Sequence, residues 1–355
     1  MDYTTMAGGS TPAAPQVSAE KLQFTGSGTE YFKIWIVNLL LSILTLGIYS
    51  AWAKVRRLQY FHRNTVLAGS SFDYHGKPLA ILKGRLLVVG FFVLYNILIS
   101  VAPMIAILMM VAFVIAMPWI VRQALRFRAW NTSYRNLRFH FSGSVSGAFG
   151  AFVLRPLAGA FSLGLAMPWA MQRQARYKFD NLGYGQKPFS MEASVGSFYL
   201  LALKVLAGLI VPIGLLIGGI TMSGGELAGN REAQAMLLGF GVMGFYLILF
   251  FLVGPFIWSR YLNLLWNNLS IGSLSFSSTV RARGLLWIML TNFLGMIFTL
   301  GLFWPWAVVR LMRYRVESLA LENAEALDGF VGQAAQESAA AGDEAAEWLD
   351  LDLGL

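Results

Sequence analysis

The stretch TLGLFWPWAVVRLMRY, residues 299–314, ends an apolar run at Pro305-Trp306 and turns basic at once. The same punctuation occurs twice more, as TLGIYSAWAKVRRLQY at 45–60 and SLGLAMPWAMQRQARY at 162–177. All three copies read Thr or Ser, Leu, Gly, with Trp five residues after Gly, Arg four after Trp and Tyr eight after Trp. Two looser copies lie between them. MPWIVRQALRF carries Pro118, Trp119, Arg122 and Arg126, and GPFIWSRYLNL carries Pro255, Phe256 and Arg260.

The register continues beyond the tryptophan. Twelve residues after the Trp or Phe comes Asn64, Asn131, Asn181 or Asn268, and eight after each Asn comes Phe72, Phe139, Phe189 or Phe276. FTGSGTEYF at 24–32 also matches FSGSVSGAF at 141–149. Fixed spacings shared by copies this far apart mark an internal repeat. Five units follow, near 24–71, 72–138, 139–188, 189–275 and 276–316. Residues 1–23 read as a disordered N-terminal segment, and 317–355 as an acidic, disordered tail.

Composition places the repeat in a membrane. Of 355 residues, 57% are hydrophobic and 13% charged, against about 25% charged in soluble domains. Apolar runs at 86–121, 197–220, 235–258 and 285–309 are long enough to span a bilayer. Tyr31 to Trp52 is the expected first insertion signal, and no cleavable signal peptide precedes it. The chain has no cysteine, which excludes disulfides, thiolate catalysis and cysteine metal sites. His62, His75 and His140 are too scattered for a metal centre. No cofactor is implied.

Charge is partitioned. Of 27 Lys and Arg, 26 lie between Lys33 and Arg315, while the tail from Glu317 holds ten of the 18 acids and no base. A basic body suits anionic lipid headgroups, and the dispersal of its charge over short loops argues against nucleic acid. The tail, ending DEAAEWLDLDLGL, could pair with a protein partner as an edge strand.

The fold these features predict is an all-α polytopic membrane protein. It is a helical bundle of about five divergent internal repeats, with interfacial amphipathic helices and short cytoplasmic β-segments. In each unit an apolar segment ends at Gly, and Pro-Trp starts a helix running along the membrane surface. Trp and the arginines four and seven residues on share a face, within reach of lipid phosphates. The expected lipid- or anion-binding residues are Trp52, Arg56, Trp119, Arg126, Trp169, Arg173, Arg176, Trp306, Arg310 and Arg313. Asn at the end of that helix suits a left-handed cap, and the stretch after it has strand character.

Units 2 and 4 hold enough apolar chain for two spans each. Units 1, 3 and 5 hold enough for one, interrupted nine residues before Gly by Asn38, Arg155 (next to Pro156) and Asn292. If the short units are re-entrant hairpins bent at those breaks, 22 Lys and Arg share one side, as the positive-inside rule favours. If they are single spans, the bundle has seven helices and partly inverted repeats. The first arrangement is the one expected here.

GTEYFKIWIVNLLLSILTLGIYSAWAKVRRLQYF followed by NTVLAGSSFDYHGKPLAILKGR resembles the YjgN-type family of bacterial inner-membrane proteins, over about 24–316. The resemblance implies a multi-pass protein of the bacterial inner membrane and carries no catalytic residues with it. Asn38, Arg155 and Asn292 form a candidate intramembrane polar site, whereas Lys204 snorkels. Two functions are weighed. One is a transporter or conduit for a small or anionic solute. The other is a non-enzymatic scaffold that organises anionic lipid through the Trp/Arg faces. No nucleophile, paired carboxylate or phosphate loop supports an enzyme. Membrane lipids are the expected partners, and an oligomer is left open.

Overall fold

The computed structural model of the chain describes residues 19–226, 231–334 and 336. Within each repeat the chain runs from a strand into an outgoing helix, reverses at a tip, and comes back through a returning helix into the next strand. Repeat 1 comprises β1 (Glu20–Lys21), β2 (Gln23–Phe24), α1 (Gly28–Leu44) and α2 (Ser50–Arg63). Repeat 2 comprises β3 (Thr65–Leu67), β4 (Ser70–Tyr74), α3 (Pro78–Val101) and α4 (Pro103–Trp130). Repeat 3 comprises β5 (Thr132–Tyr134), β6 (Leu137–Phe141), α5 (Val145–Phe149), a π-helical turn Gly150–Leu154, α6 (Arg155–Phe161) and α7 (Met167–Asp180). Repeat 4 comprises β7 (Leu182–Tyr184), β8 (Lys187–Met191), α8 (Val195–Glu226), α9 (Arg231–Ile248), a π-helical turn Leu249–Val253 and α10 (Gly254–Trp266). Repeat 5 comprises β9 (Leu269–Ile271), β10 (Leu274–Ser278), α11 (Ala282–Phe298) and α12 (Trp304–Glu317). Then follow β11 (Leu319–Glu322), a 3-10 turn Ala324–Ala326 and a helix over 327–334.

The strands overturn the all-α expectation. All eleven form one antiparallel sheet in the order β1-β11-β10-β9-β8-β7-β6-β5-β4-β3-β2. β1 and β2 are halves of one extended run, broken at Leu22. Glu20 and Lys21 pair with Leu321 and Ala320, while Gln23 and Phe24 pair with Val66 and Thr65. Leu22 N–H itself donates to the Leu319 carbonyl at 3.0 Å. The sheet therefore comes round to meet itself as a nearly closed barrel, joined by the first and last strands of the described residues. Closure of this kind leaves no edge open to pair with another chain. It also draws β11 and the 327–334 helix out of the region read as a disordered tail, and β1 out of the N-terminal segment. The rest of those two segments, including DEAAEWLDLDLGL, lies outside the described residues.

The repeat spacings now have causes. Each Asn ends a returning helix. The side-chain amides of Asn64, Asn131, Asn181 and Asn268 donate to the carbonyl four residues back, at 2.7–2.9 Å, and the Ser318 hydroxyl does the same in repeat 5 at 2.6 Å. Their main-chain carbonyls accept the N–H of Thr25, His75, Ser142, Glu192 and Thr279, the first residue after each second strand, at 2.8–3.0 Å. That pair of bonds fixes barrel to hairpin five times over. Asn64, Asn131 and Asn181 have φ near −90° (−92°, −88° and −99°), not the left-handed value expected. The residue is used for its amide.

Eight residues after Asn, the centre of the second strand points into the barrel. Phe72, Phe139, Phe189 and Phe276 stack in sequence with centroids 6.3–6.5 Å apart. Leu67, Tyr134, Tyr184, Phe189, Ile271 and Leu321 are buried there, and Phe72, Phe139 and Phe276 half-buried. Tyr134 Oη donates to the Leu67 carbonyl and Tyr184 Oη to the Tyr134 carbonyl, at 2.8 and 2.9 Å. Burial raises the pKa of both phenols, so they stay protonated donors. The far mouth is covered by the 327–334 helix. Leu327, Phe330 and Ala334 are buried, Phe330 stacks on Tyr184 at 6.4 Å, and Asp328 pairs with Arg135.

Candidate functional site: hairpin tips and the basic belt

The hairpins come in two lengths. In α3, α4, α8 and the α9–α10 run, four stretches are long and apolar enough to cross a membrane. α1 and α11 have 17 residues each, about 25 Å of helix at 1.5 Å per residue, short of a hydrocarbon core of about 30 Å. The base of hairpin 1 brings its two ends together, since Thr25 N–H meets the Asn64 carbonyl. The equivalent bonds do so in hairpins 3 and 5. Pro-Trp therefore begins a helix that runs back to the barrel beside the outgoing one, not a helix lying along the surface. The reversal falls at Leu-Gly, not at Asn38, Arg155 or Asn292.

The Thr/Ser-Leu-Gly motif builds the short tips. Leu46, Leu163 and Leu300 have φ of 49°, 53° and 50°, and Gly47, Gly164 and Gly301 have φ of 90°, 91° and 89°. The second of these positions needs glycine. Gly47, Gly164 and Gly301 donate N–H to the carbonyls of Ser42, Gly159 and Met296 at 2.7–2.8 Å, closing the outgoing helix as in a Schellman motif. The hydroxyls of Thr45, Ser162 and Thr299 donate to Leu41, Gly159 and Gly295 carbonyls and accept the N–H of Tyr49, Ala166 and Phe303, all at 2.7–2.9 Å. Leu46, Leu163 and Leu300 are each 95% exposed. A reversal so satisfied in hydrogen bonds and so apolar outside meets the requirement hydrocarbon places on buried backbone.

The tyrosine eight residues after Trp locks the other end. Tyr60 Oη accepts the Ser27 N–H and donates to the Ser27 carbonyl, both at 2.8 Å. Tyr177 Oη donates to the Ser144 carbonyl at 2.8 Å, and Tyr314 Oη bonds the N–H and C=O of Arg281 at 2.9 and 3.1 Å. Neighbouring repeats are also clasped. Arg122 Nε, Gln172 Nε2, Asn263 Nδ2 and Arg313 Nη2 donate to the carbonyls of Gly143, Ala193, Val280 and Gly26, at 2.6–3.0 Å. These four acceptors hold the same place in their repeats, two residues after the second strand.

The expected belt residues divide accordingly. Arg56, Arg126 and Trp119 are exposed, and Trp52, Trp169, Arg173 and Arg176 half-buried. Trp306 instead stacks on Phe32 at 5.0 Å and fills the space a side chain on Gly28 would need, sealing repeat 5 to repeat 1. Arg310 donates to Asn292 Oδ1 at 3.0 Å. Arg313 is taken by the clasp. Asn292 Nδ2 donates to the Ala307 carbonyl at 3.1 Å, and Arg155 lies over the Trp169 ring at 5.8 Å. Asn38 is buried on the face of α1 that holds Tyr31, itself stacked on Tyr60 of α2. Arg155 and Asn292 thus face the returning helix of their own hairpin, and Asn38 Oδ1 is buried without a hydrogen-bond partner. Their sequence signal was depth alone, whereas Gln172, Asn263 and Arg122 carried a positional one, the slots three and seven after Trp or Phe. No group of His, Cys, Asp or Glu among the described residues could hold a metal ion.

On the barrel, outside the candidate spans, burial would raise the Asp73 carboxyl, but the Arg63 bond at 2.9 Å and the Tyr74 N–H outweigh it and hold its pKa below the ordinary value. Burial lowers the pKa of His140.

A ring of apolar hairpins on a repeat-built base defines an integral membrane protein. The chain belongs to the family described as bacterial protein of unknown function (DUF898), which matches residues 19–348. It is 26% identical over 351 residues to the inner membrane protein YjgN of Salmonella typhimurium strain LT2, covering 85% of this chain and 88% of that one. It is 30% identical over 151 residues to inner membrane protein YjgN of Escherichia coli O157:H7, covering 42% and 37%. It is 29% identical over 151 residues to the protein of that name in Escherichia coli strain K12, with the same coverage. No solved structure matches it. With these relatives and four membrane-length apolar helices, it is an inner-membrane protein.

Proposed function

We propose that the protein is a non-enzymatic organiser of the inner membrane, binding anionic headgroups from the cytoplasmic side. Hairpins 2 and 4 cross the bilayer, and hairpins 1, 3 and 5 enter it from the barrel side without crossing. The observation that carries this reading is the tip of the short hairpins, apolar outside and complete in its own hydrogen bonds. The basic belt, including the exposed Arg56 and Arg126 and the half-buried Arg173, then lies at headgroup level, where each charge near an anionic surface contributes about 1 kcal/mol. Solute conduction is less well supported, because its three candidate residues belong to separate hairpins and the barrel below is filled by aromatic side chains.

The test is lipid retention. Protein extracted in membrane-patch nanodiscs is expected to hold more phosphatidylglycerol and cardiolipin than the bulk membrane. In the Arg56→Ala/Arg126→Ala/Arg173→Ala triple variant that enrichment should fall to the bulk value. Unchanged enrichment in the variant would overturn the assignment.

A further inference from the structure

Arg155 is the one charged residue in the second half of a short outgoing helix. It stands ten residues beyond the start of α5 and nine before Gly164 at the tip, so about 15 Å of helix separates it from the barrel rim. Its guanidinium lies over the Trp169 ring and folds back toward the barrel. Nη1 comes 3.5 Å from where a side chain on Gly150 would begin. The π-helical turn Gly150–Leu154 directly precedes it, a feature common at functional sites and here forced by Pro156, which has no N–H to donate.

No carboxylate among the described residues pairs with Arg155. The single acid of hairpin 3 is Asp180 at the barrel end, whose Oδ1 already accepts the Met191 N–H at 2.7 Å. Trp169, Arg173 and Arg176 follow one another at four and seven residues along α7, on one face. Arg176 Nε is buried without a partner, as is Oε1 of Gln172, a residue 1% exposed. Asp180 lies close enough to Arg176 to interact with its charge, but no carboxylate among the described residues pairs with Arg155 or Arg173, and such charge in a membrane calls for an anionic partner. Hairpin 3 also stands between the two long hairpins, α5 packing on α4 and α7 on α8.

We propose that hairpin 3 holds one phospholipid with its phosphodiester drawn below the ordinary headgroup level. Arg155 over Trp169 and Arg173 one turn along α7 donate to the phosphate, a geometry that suits the planar guanidinium fork. Its acyl chains lie beside the long hairpins. This site rests on the lipid-binding reading above; it shares Arg173 with the belt and adds Arg155, which lies outside it.

Native mass spectrometry of the detergent-purified full chain tests it. The wild type should retain an adduct with the mass of one phospholipid. Arg155→Ala should lower that adduct about tenfold, as loss of a charge-assisted bond implies, and Arg155→Lys should retain part of it. Enrichment of anionic lipid in the surrounding nanodisc should stay unchanged in both, which separates this site from the belt. If Arg155→Ala fails to fold, Arg155→Gln serves in its place. A wild type with no adduct, an adduct of inorganic phosphate mass only, or an adduct that survives the neutral substitution would overturn the proposal.

Discussion

Hairpins 1, 3 and 5 are locked at both ends; hairpin 2 is locked at neither in that way, and hairpin 4 lacks the lock at its base, its tip lying outside the described residues. The short ones carry the hydroxyl-braced Leu-Gly tip and a tyrosine hydroxyl bonded to the start of the outgoing helix. In the long ones the tyrosine position holds Phe127 and Leu264, and the first long tip is the plain Ala102-Pro103 reversal. No residue of α3 is buried along its apolar length. A helix pair that spans the bilayer is held by hydrocarbon on every side, since leaving it would expose some 20 apolar residues. A pair that enters and turns back has less apolar length to hold it, so its shape must be fixed by internal bonds. The shared base serves both kinds, because the clamp and the barrel slot recur in all five repeats, with Asn in four and Ser318 in the fifth.

The base is therefore where a change should cost most. Leu321, 1% exposed in the barrel, sits on the strand that closes the sheet. Leu321→Ala should destabilise the detergent-solubilised protein by about 2–5 kcal/mol, read as a lowered unfolding temperature. A loss no larger than that of a surface substitution would mean the closure is dispensable. Next come the locks peculiar to the short hairpins. Tyr314→Phe should cost about 0.5–1.5 kcal/mol, measured the same way, while Phe127→Leu in a long hairpin leaves hydrogen bonding untouched. Equal costs for the two would erase the distinction drawn here.

A smaller effect belongs to the barrel's outer face. Asp73 has its folded-state pKa depressed, so the stability it gives is complete above its unfolded value of about 3.9 and is lost as pH falls through the lower folded value. Asp73→Asn should flatten that acid limb and leave the neutral range alone, the pair being half open to solvent and screened. Least of all should come from the tips. Leu46→Ser, at a residue 95% exposed, should change stability in detergent by no more than about 0.5 kcal/mol, while weakening the hold of that hairpin on vesicles. A large loss in detergent would show that the tip packs on protein.

Much of this was legible in the sequence because the repeat was. The five units, the Trp-Arg-Tyr-Asn-Phe register and the strand character after Asn were all readable, since each is a local spacing. The barrel was not. Its strands are two to five residues long, too short to show a period, and each first strand pairs with the preceding repeat, as Tyr134 does with Phe72. Closure depends on pairing Leu321 with Glu20, some 300 residues apart, which no local pattern reports. The site was half legible. Trp306 and Arg310 have the same spacing as Trp52 and Arg56, but Trp306 packs on Phe32 where repeat 5 meets repeat 1, and Arg310 bonds Asn292 of its own hairpin.

The central claim is that all five hairpins leave one face of the barrel and only two cross the bilayer. With no native cysteine, single substitutions labelled in whole cells by a membrane-impermeant maleimide test it directly. Met104→Cys, beside the tip of hairpin 2, should label from outside. Ser70→Cys and Ser273→Cys, at barrel turns, should label only after the membrane is opened. Leu46→Cys, Leu163→Cys and Leu300→Cys should resist labelling in both conditions. A short tip that labels from outside, or barrel turns that divide between the two sides, would contradict the account.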